Sequence, residues 1–166
     1  WCYLGLEAEM PEPGDYLTTF IGDRSVVVNR AEDGTLHGFI NRCAHRGSTI
    51  VRDTHGSAKE HVCIYHHWTY DLKGNLIGVP FERGVAGHGG MPQSFRKEDH
   101  GLTMIRVESY KGAMFGSVHP GVEPLYDYLD APIRDYLDRF LGKPIEILGY
   151  MRQRMPSNWK LYWENV

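Results

Sequence analysis

Two short stretches constrain this chain more than anything else in it. They are Cys43-Ala44-His45 and Cys63-Ile64-Tyr65-His66, with residues 46–62 between them. Each offers one thiol and one imidazole. A lone cysteine is most often a small buried hydrophobe, but two Cys–His pairs point to a metal centre. Any fold for this chain must hold both stretches side by side on a core. At 166 residues, the chain can bury roughly two-thirds of its unfolded surface without cross-links. The three cysteines, Cys2, Cys43 and Cys63, cannot pair completely, so a disulfide framework is not expected. Cys2 has no ligand-spaced partner and is expected to pack near the N-terminus. Six further histidines (His37, His55, His61, His88, His100, His119) also lack such a partner and are expected on the surface or in strands.

Charge and hydropathy remove several classes of partner. Lys+Arg is 18 and Asp+Glu is 21, a net charge of −3, which is not the basic balance that nucleic acid requires. No run of 18 apolar residues suggests a membrane helix, and no signal-peptide pattern opens the chain. The first residue is Trp1, and the last stretch, 157–166, stops within an apolar periodic segment. We therefore expect a piece of a longer protein.

From Asp15 to Val118 the pattern is β-rich. Val26-Val27-Val28 is a β-branched run, and Asp33-Gly34 a hairpin-type turn before Leu36–Ile40. Lys73-Gly74-Asn75 separates Trp68–Tyr70 from Leu76-Ile77, a second hairpin, and Lys111-Gly112 turns Leu102–Tyr110 back into Ala113–Gly116. Strands this short and closely spaced suggest a small sandwich or barrel. The Gly-rich stretch 83–90 lacks the Gly-Lys-Ser/Thr of a phosphate loop and is expected to be an ordinary flexible loop. After Pro120 the period changes. Asp130 caps a predicted helix with Pro132 in its first turn. Ile133, Tyr136, Leu137, Phe140 and Leu141 form its apolar face, and Gly142 and Pro144 end it. Residues 144–155 are expected to form one strand, and Ser157 to cap a second helix. The expected organisation is an N-terminal segment over 1–14, a β-module over 15–118 and the start of another domain over 119–166.

Two metal centres compete for the Cys2His2 set. Structural zinc commonly takes two ligands of one kind from each loop, whereas here each loop supplies one of each. In a Rieske [2Fe–2S] centre, two cysteines bind one iron and two histidines the other. Two loops with one Cys and one His each can span such a cluster. The one-residue gap in Cys43-Ala44-His45 also suits ligands on different irons. The spacing favours the two-iron centre and leaves zinc open.

Cys43-Ala44-His45-Arg46-Gly47 with Cys63-Ile64-Tyr65-His66-His67-Trp68 resembles the paired motif of Rieske non-haem iron oxygenases. The resemblance extends over the whole chain. Trp1–Glu9 is similar to the segment before the Rieske domain in the large subunits of these oxygenases, and Ser157–Val166 to the helix that opens their catalytic domain. Gly78–Phe81 and Pro124–Leu129 resemble the branch acting on aromatic carboxylates: salicylate 5-hydroxylase, terephthalate and anthranilate dioxygenases.

The resemblance implies a mostly β fold: a Rieske-type antiparallel β-sandwich with a [2Fe–2S] loop subdomain, then the first helices and strand of an α+β catalytic domain. It implies that Cys43 and Cys63 hold the inner iron and His45 and His66 the outer, electron-accepting one. Arg46, Tyr65 and Trp68 would surround the cluster and tune it. It places Asn165 near a mononuclear Fe(II) whose own two-His-one-carboxylate ligands would lie beyond residue 166, so no catalytic residue is assigned within the chain. It further implies a ferredoxin or NAD(P)H-dependent reductase as electron source, a homotrimeric α3 or α3β3 assembly, an aromatic carboxylate and O2 as substrates, and a cytoplasmic location without membrane or nucleic-acid contact. Residues 1–14 would pack on the catalytic domain. The competing expectations are a stand-alone Rieske ferredoxin, for which residues 119–166 are superfluous, and a zinc-stabilised binding module.

Overall fold

The computed structural model describes residues 1–151 and 153–164. Its strands are β1 (Cys2–Leu6), β2 (Asp15–Ile21), β3 (Arg24–Arg30), β4 (Leu36–Ile40), β5 (His55–Ser57), β6 (Glu60–Val62), β7 (Thr69–Asp71), β8 (Leu76–Gly78), β9 (Met104–Tyr110) and β10 (Ala113–Ser117). Three helices follow: α1 (Leu125–Tyr128), α2 (Ala131–Leu141) and α3 (Trp159–Trp163). A seven-stranded sheet runs β1-β10-β9-β4-β3-β2-β5 and a three-stranded one β6-β7-β8. Every pairing is antiparallel.

The large sheet curls until β1 approaches β2. A Cβ placed on Gly5 would lie 2.6 Å from Leu17 Cδ2, so glycine is what lets the two strands close. Inside the curl, Leu4, Met10, Leu17, Val26, Val28, Ile105 and Met114 form one core. The valine run of β3 then shows why two cores exist. Successive strand residues face opposite sides, so Val26 and Val28 point into the curl. Val27 points outward, into a second core with Phe39, Cys43, Cys63, Trp68 and Tyr70. That second core joins the small sheet to the large one.

Asn29 shares the outward face of β3 with Val27 and is fully buried. Its Nδ2 donates to the Leu72 carbonyl (3.1 Å), and its Oδ1 accepts from His61 Nε2 (2.8 Å). Burial pushes the His61 imidazole down to about 4, so it is neutral and carries its proton on Nε2. His61, expected as a surface or strand histidine, lies in β6 but is buried, with its ring edge-on to Tyr16 and Phe39. This one polar bridge fixes the small sheet to β3.

The three expected hairpins form, as β3–β4, β7–β8 and β9–β10. Residues 1–14 do more than precede the β-module: Cys2–Leu6 pair with β10 as the sheet's edge strand. Nothing in the local pattern announces a pairing across more than 100 residues. In α2, the Asp130 side chain accepts from Ile133 N–H (3.2 Å), Pro132 sits in the first turn and Gly142 is the C-cap. The expected strand over 144–155 does not form among the described residues. Ile147, Gly149 and Tyr150 instead lie against β1, β2 and β5 without pairing to an edge. The last helix is capped by Asn158, not Ser157. The Asn158 side chain accepts from Lys160 N–H at 3.0 Å, because an N-cap oxygen reaches two or three residues ahead. Among the described residues, no helix is long and apolar enough to cross a membrane.

Candidate metal centre

The two Cys–His stretches fold into loops of the same backbone design. In the first, Gly47 N–H donates to Cys43 C=O (2.8 Å) and Cys43 N–H to Ser48 C=O (2.8 Å). In the second, His67 N–H donates to Cys63 C=O (2.8 Å) and Cys63 N–H to Trp68 C=O (2.9 Å). Each loop turns on a residue in the left-handed region, Gly47 at φ 70° and His67 at φ 55°. Glycine takes that conformation freely, whereas histidine adopts it against the steric cost of its Cβ. His67 is therefore a strained position held by its loop.

The repeated turn sorts the side chains. Cys43 and Cys63 point inward and are buried, at 4% and 1% exposure. His45 is exposed and His66 half-buried, and their ring centroids are 4.6 Å apart. The sequence thus alternates thiol and imidazole, and the fold gathers the thiols inside and the imidazoles at the rim. Among the described residues, no group of three or more His, Cys, Asp and Glu converges on a single ion position. An inner pair and an outer pair of donors fit two metals in a row better than one tetrahedral zinc.

The surroundings suit such a donor set. Tyr70 is fully buried, with its Oη 3.2 Å from Cys43 Sγ and accepting from Ala44 N–H at 3.1 Å. Burial pushes the Cys43 thiol up. Bonds from Tyr70 and from the His45 backbone N–H work the other way, and the neighbouring Cys63 thiol raises it further. Burial, with the bond to Cys43 and its charge, also pushes the Tyr70 phenol up, so it stays a donor. Two adjacent desolvated thiols ionise together only when a cation lies between them. The solvation it loses against its neighbours, then the nearby His66 and Arg46, push the His45 imidazole down, toward the neutral form a metal ligand needs.

Trp68, expected beside the centre, is buried and stacks on the His45 ring at 4.7 Å and 13°. Tyr65 packs on His66 at 4.0 Å, and the Arg46 guanidinium lies 5.5 Å from the Tyr65 ring centre. Pro80, Phe81 and Met91 line the recess above His45 and His66. Asn165 lies outside the described residues. Tyr70 and Asn41 have no signal in the sequence, because a strand tyrosine and a loop asparagine carry no ligand spacing. Asn41 is nearly fully buried. Its Oδ1 accepts from Ile50 N–H (3.1 Å) and Val51 N–H (3.0 Å), and its Nδ2 donates to Val51 C=O (2.7 Å). It ties the far end of the first loop to its start.

The family model of the Rieske [2Fe–2S] domain matches residues 1–102. The chain belongs to the Rieske [2Fe–2S] family. Over its whole length it is 52% identical to the anthranilate 1,2-dioxygenase large subunit of Burkholderia cepacia, covering 39% of that protein. It is 51% identical to the large oxygenase component of salicylate 5-hydroxylase of a Ralstonia species, covering 40% of it. The chain thus spans about two-fifths of the length of these relatives. Among solved structures, naphthalene 1,2-dioxygenase with indole bound superposes with a TM-score of 0.75 at 39% identity, over 83% of this chain and 30% of that one. The mostly β Rieske fold and the [2Fe–2S] cofactor follow from this membership.

Proposed function

We propose that Cys43 and Cys63 hold the inner iron of the [2Fe–2S] cluster and His45 and His66 the outer. The observation that carries this is the like-built pair of loops, with both thiols buried and both imidazoles meeting at the rim. The bound cluster supplies one-electron storage at a potential above the roughly −400 mV of an all-cysteine plant-type cluster, because two neutral ligands replace two thiolates. The chain's own residues do the rest. The second core keeps water from the thiols, Tyr70 donates to Cys43, Trp68 holds the His45 ring, and Arg46 and Tyr65 frame the exposed edge.

In this reading the chain is the electron-transfer part of an aromatic-ring-hydroxylating oxygenase large subunit. It takes electrons from a ferredoxin or NAD(P)H-dependent reductase and passes them to a mononuclear Fe(II) that hydroxylates an aromatic carboxylate with O2. Support for the substrate class comes from three relatives at 47–52% identity that are named for anthranilate, salicylate and terephthalate, all aromatic carboxylates. Relatives named for biphenyl and benzene stand at 36–37%. The same reading takes 15–118 as the Rieske module and 119–166 as the start of the catalytic domain, with 1–14, whose β1 edges the Rieske sheet, also packing on that domain; it adds an α3 or α3β3 assembly and a cytoplasmic location. Iron and acid-labile sulfide should be found at two each per chain, and the dithionite-reduced protein should give the EPR signal of a mixed-ligand [2Fe–2S] cluster. Stoichiometric zinc with no such signal would overturn the assignment.

A further inference from the structure

On the flank of the first cluster loop the surface carries two contiguous recesses. One, of about 540 Å3, is lined by Asp23, Arg24, Arg42 and Thr49. The other, of about 530 Å3, is lined by Phe20, Ser48, Arg52 and Thr54. Ser25, Asn41 and Thr49 border both. Arg24, Arg42 and Arg52 are exposed, and none forms an ion pair with the described residues. From residue 34 to residue 52 there is no carboxylate, while Arg42, Arg46 and Arg52 all fall there. Asp23 is the one acidic residue lining either recess, and Asp53 follows Arg52 directly, so three unpaired arginines meet at most two carboxylates in a chain whose net charge is −3. Phe20 stands 63% exposed beside them. Arginines around an exposed aromatic, with hydroxyls in between, match the composition of protein-binding hot spots.

The position of the patch gives it a use. Arg42 precedes Cys43 directly, and the Asn41 that borders both recesses pins the loop carrying Cys43 and His45. We propose that this arginine-and-Phe20 surface docks the electron-donor protein through an acidic face, placing carboxylates of the donor in the two recesses. This rests on the electron-transfer function proposed above. One electron leaves the donor's reduced iron–sulfur centre and reduces the cluster of this chain, and no bond is made or broken. An electropositive patch on an acidic protein steers an acidic partner to this flank and repels a basic one, an effect that appears mainly in the association rate and its salt dependence.

The test uses the full-length, cluster-loaded protein in stopped flow, with two reductants. Reduced plant-type [2Fe–2S] ferredoxin is the acidic protein probe, and the methyl viologen radical cation reads the cluster without a docking face. For the unaltered protein, the ferredoxin rate should fall about tenfold from low to high salt. In Arg24→Glu/Arg52→Glu it should fall at least about tenfold at low salt and lose that salt dependence, with the viologen rate held within about twofold. Phe20→Ala should lower the ferredoxin rate a few-fold and leave its salt dependence intact. If the double variant loses its cluster, Arg24→Gln and Arg52→Gln singly should each give a fall of about threefold. A salt-independent ferredoxin rate in the unaltered protein, or no reduction by ferredoxin where viologen reduces, overturns the proposal. So does an unchanged ferredoxin rate in the cluster-loaded charge-reversed variant, and where its sedimentation also shows altered assembly this flank is an interface between copies instead. Absence of the mixed-ligand EPR signal before any donor is added overturns the electron-transfer function itself.

Discussion

Removing one hydroxyl group probes the centre sharply. In Tyr70→Phe the ring keeps its place in the second core, where Tyr70 is fully buried beside Cys43 and Cys63, so packing changes little. What is lost is the Oη, 3.2 Å from Cys43 Sγ and 3.1 Å from Ala44 N. Because Oη already accepts from Ala44 N–H, its own proton is free for the sulfur. A hydrogen bond to a charged acceptor contributes about 1.5–3 kcal/mol. Only the part that grows when the cluster gains a negative charge enters the potential, about 1–2 kcal/mol if it is half or more of the bond. For one electron, a tenfold change in equilibrium is 59 mV, so the potential should fall by about 40–90 mV. The part-buried Ala44 N–H also loses its acceptor, at a cost of about 0.5–1.5 kcal/mol of stability, which is read separately by thermal unfolding. A redox titration of both proteins followed by visible circular dichroism gives the potential. A Tyr70→Phe potential within about 10 mV of the parent, or above it, would refute a donor role for Tyr70.

The left-handed turns give a paired prediction. His67→Gly should stabilise the loaded protein by roughly 1 kcal/mol, the relief of Cβ strain less the entropy of an added glycine. Gly47→Ala should cost a similar amount, since a Cβ there meets nothing within 4 Å and only backbone strain remains. Each shift should appear as a change of about 2–4 °C in melting temperature, and a Gly47→Ala protein as stable as its parent would count against the turn argument. Asn29→Ala should cost about 2–5 kcal/mol in denaturant unfolding, because it strands both the His61 N–H and the Leu72 carbonyl in the core. Combined with His61→Leu, the two losses should be non-additive by more than about 1 kcal/mol, and simple additivity would dissolve the bridge. Glu7 loses solvation on folding, but hydrogen bonds from Arg30 and Ser109 and the Arg30 charge outweigh that and hold its carboxyl below 4.5. A depressed folded value means the Glu7–Arg30 contact, at 2.8 Å, stabilises above pH 4.5 and is lost as pH falls through the folded value. Glu7→Gln should therefore be up to about 1 kcal/mol less stable at neutral pH and converge with the parent in acid. A gap that persists undiminished at low pH would contradict the ion pair.

Local chemistry was the legible part of this chain. Cys43, His45, Cys63 and His66 declared a centre by residue type and spacing, the turns at Asp33-Gly34, Lys73-Gly74 and Lys111-Gly112 declared hairpins, and Asp130 declared a helix start. Each of these signals lies within a few residues. What was hidden depends on contacts between distant positions. Cys2–Leu6 becomes a strand only because β10 offers it an edge, and 144–155 reads as a strand but finds none. The kinship of the two cluster loops is masked because glycine stands at one left-handed turn and histidine at the other. His61 looks like any strand histidine until Asn29, from β3, meets it in the interior.

In the proposed function one cluster is held by two imidazoles from two different loops. Pulsed EPR of the reduced protein reads this directly through nitrogen couplings to the unpaired electron. Two strongly coupled and inequivalent nitrogens should appear, with one lost in His45→Cys and the other in His66→Cys. A spectrum with no strong nitrogen coupling, or one unchanged when either histidine is replaced, would contradict it.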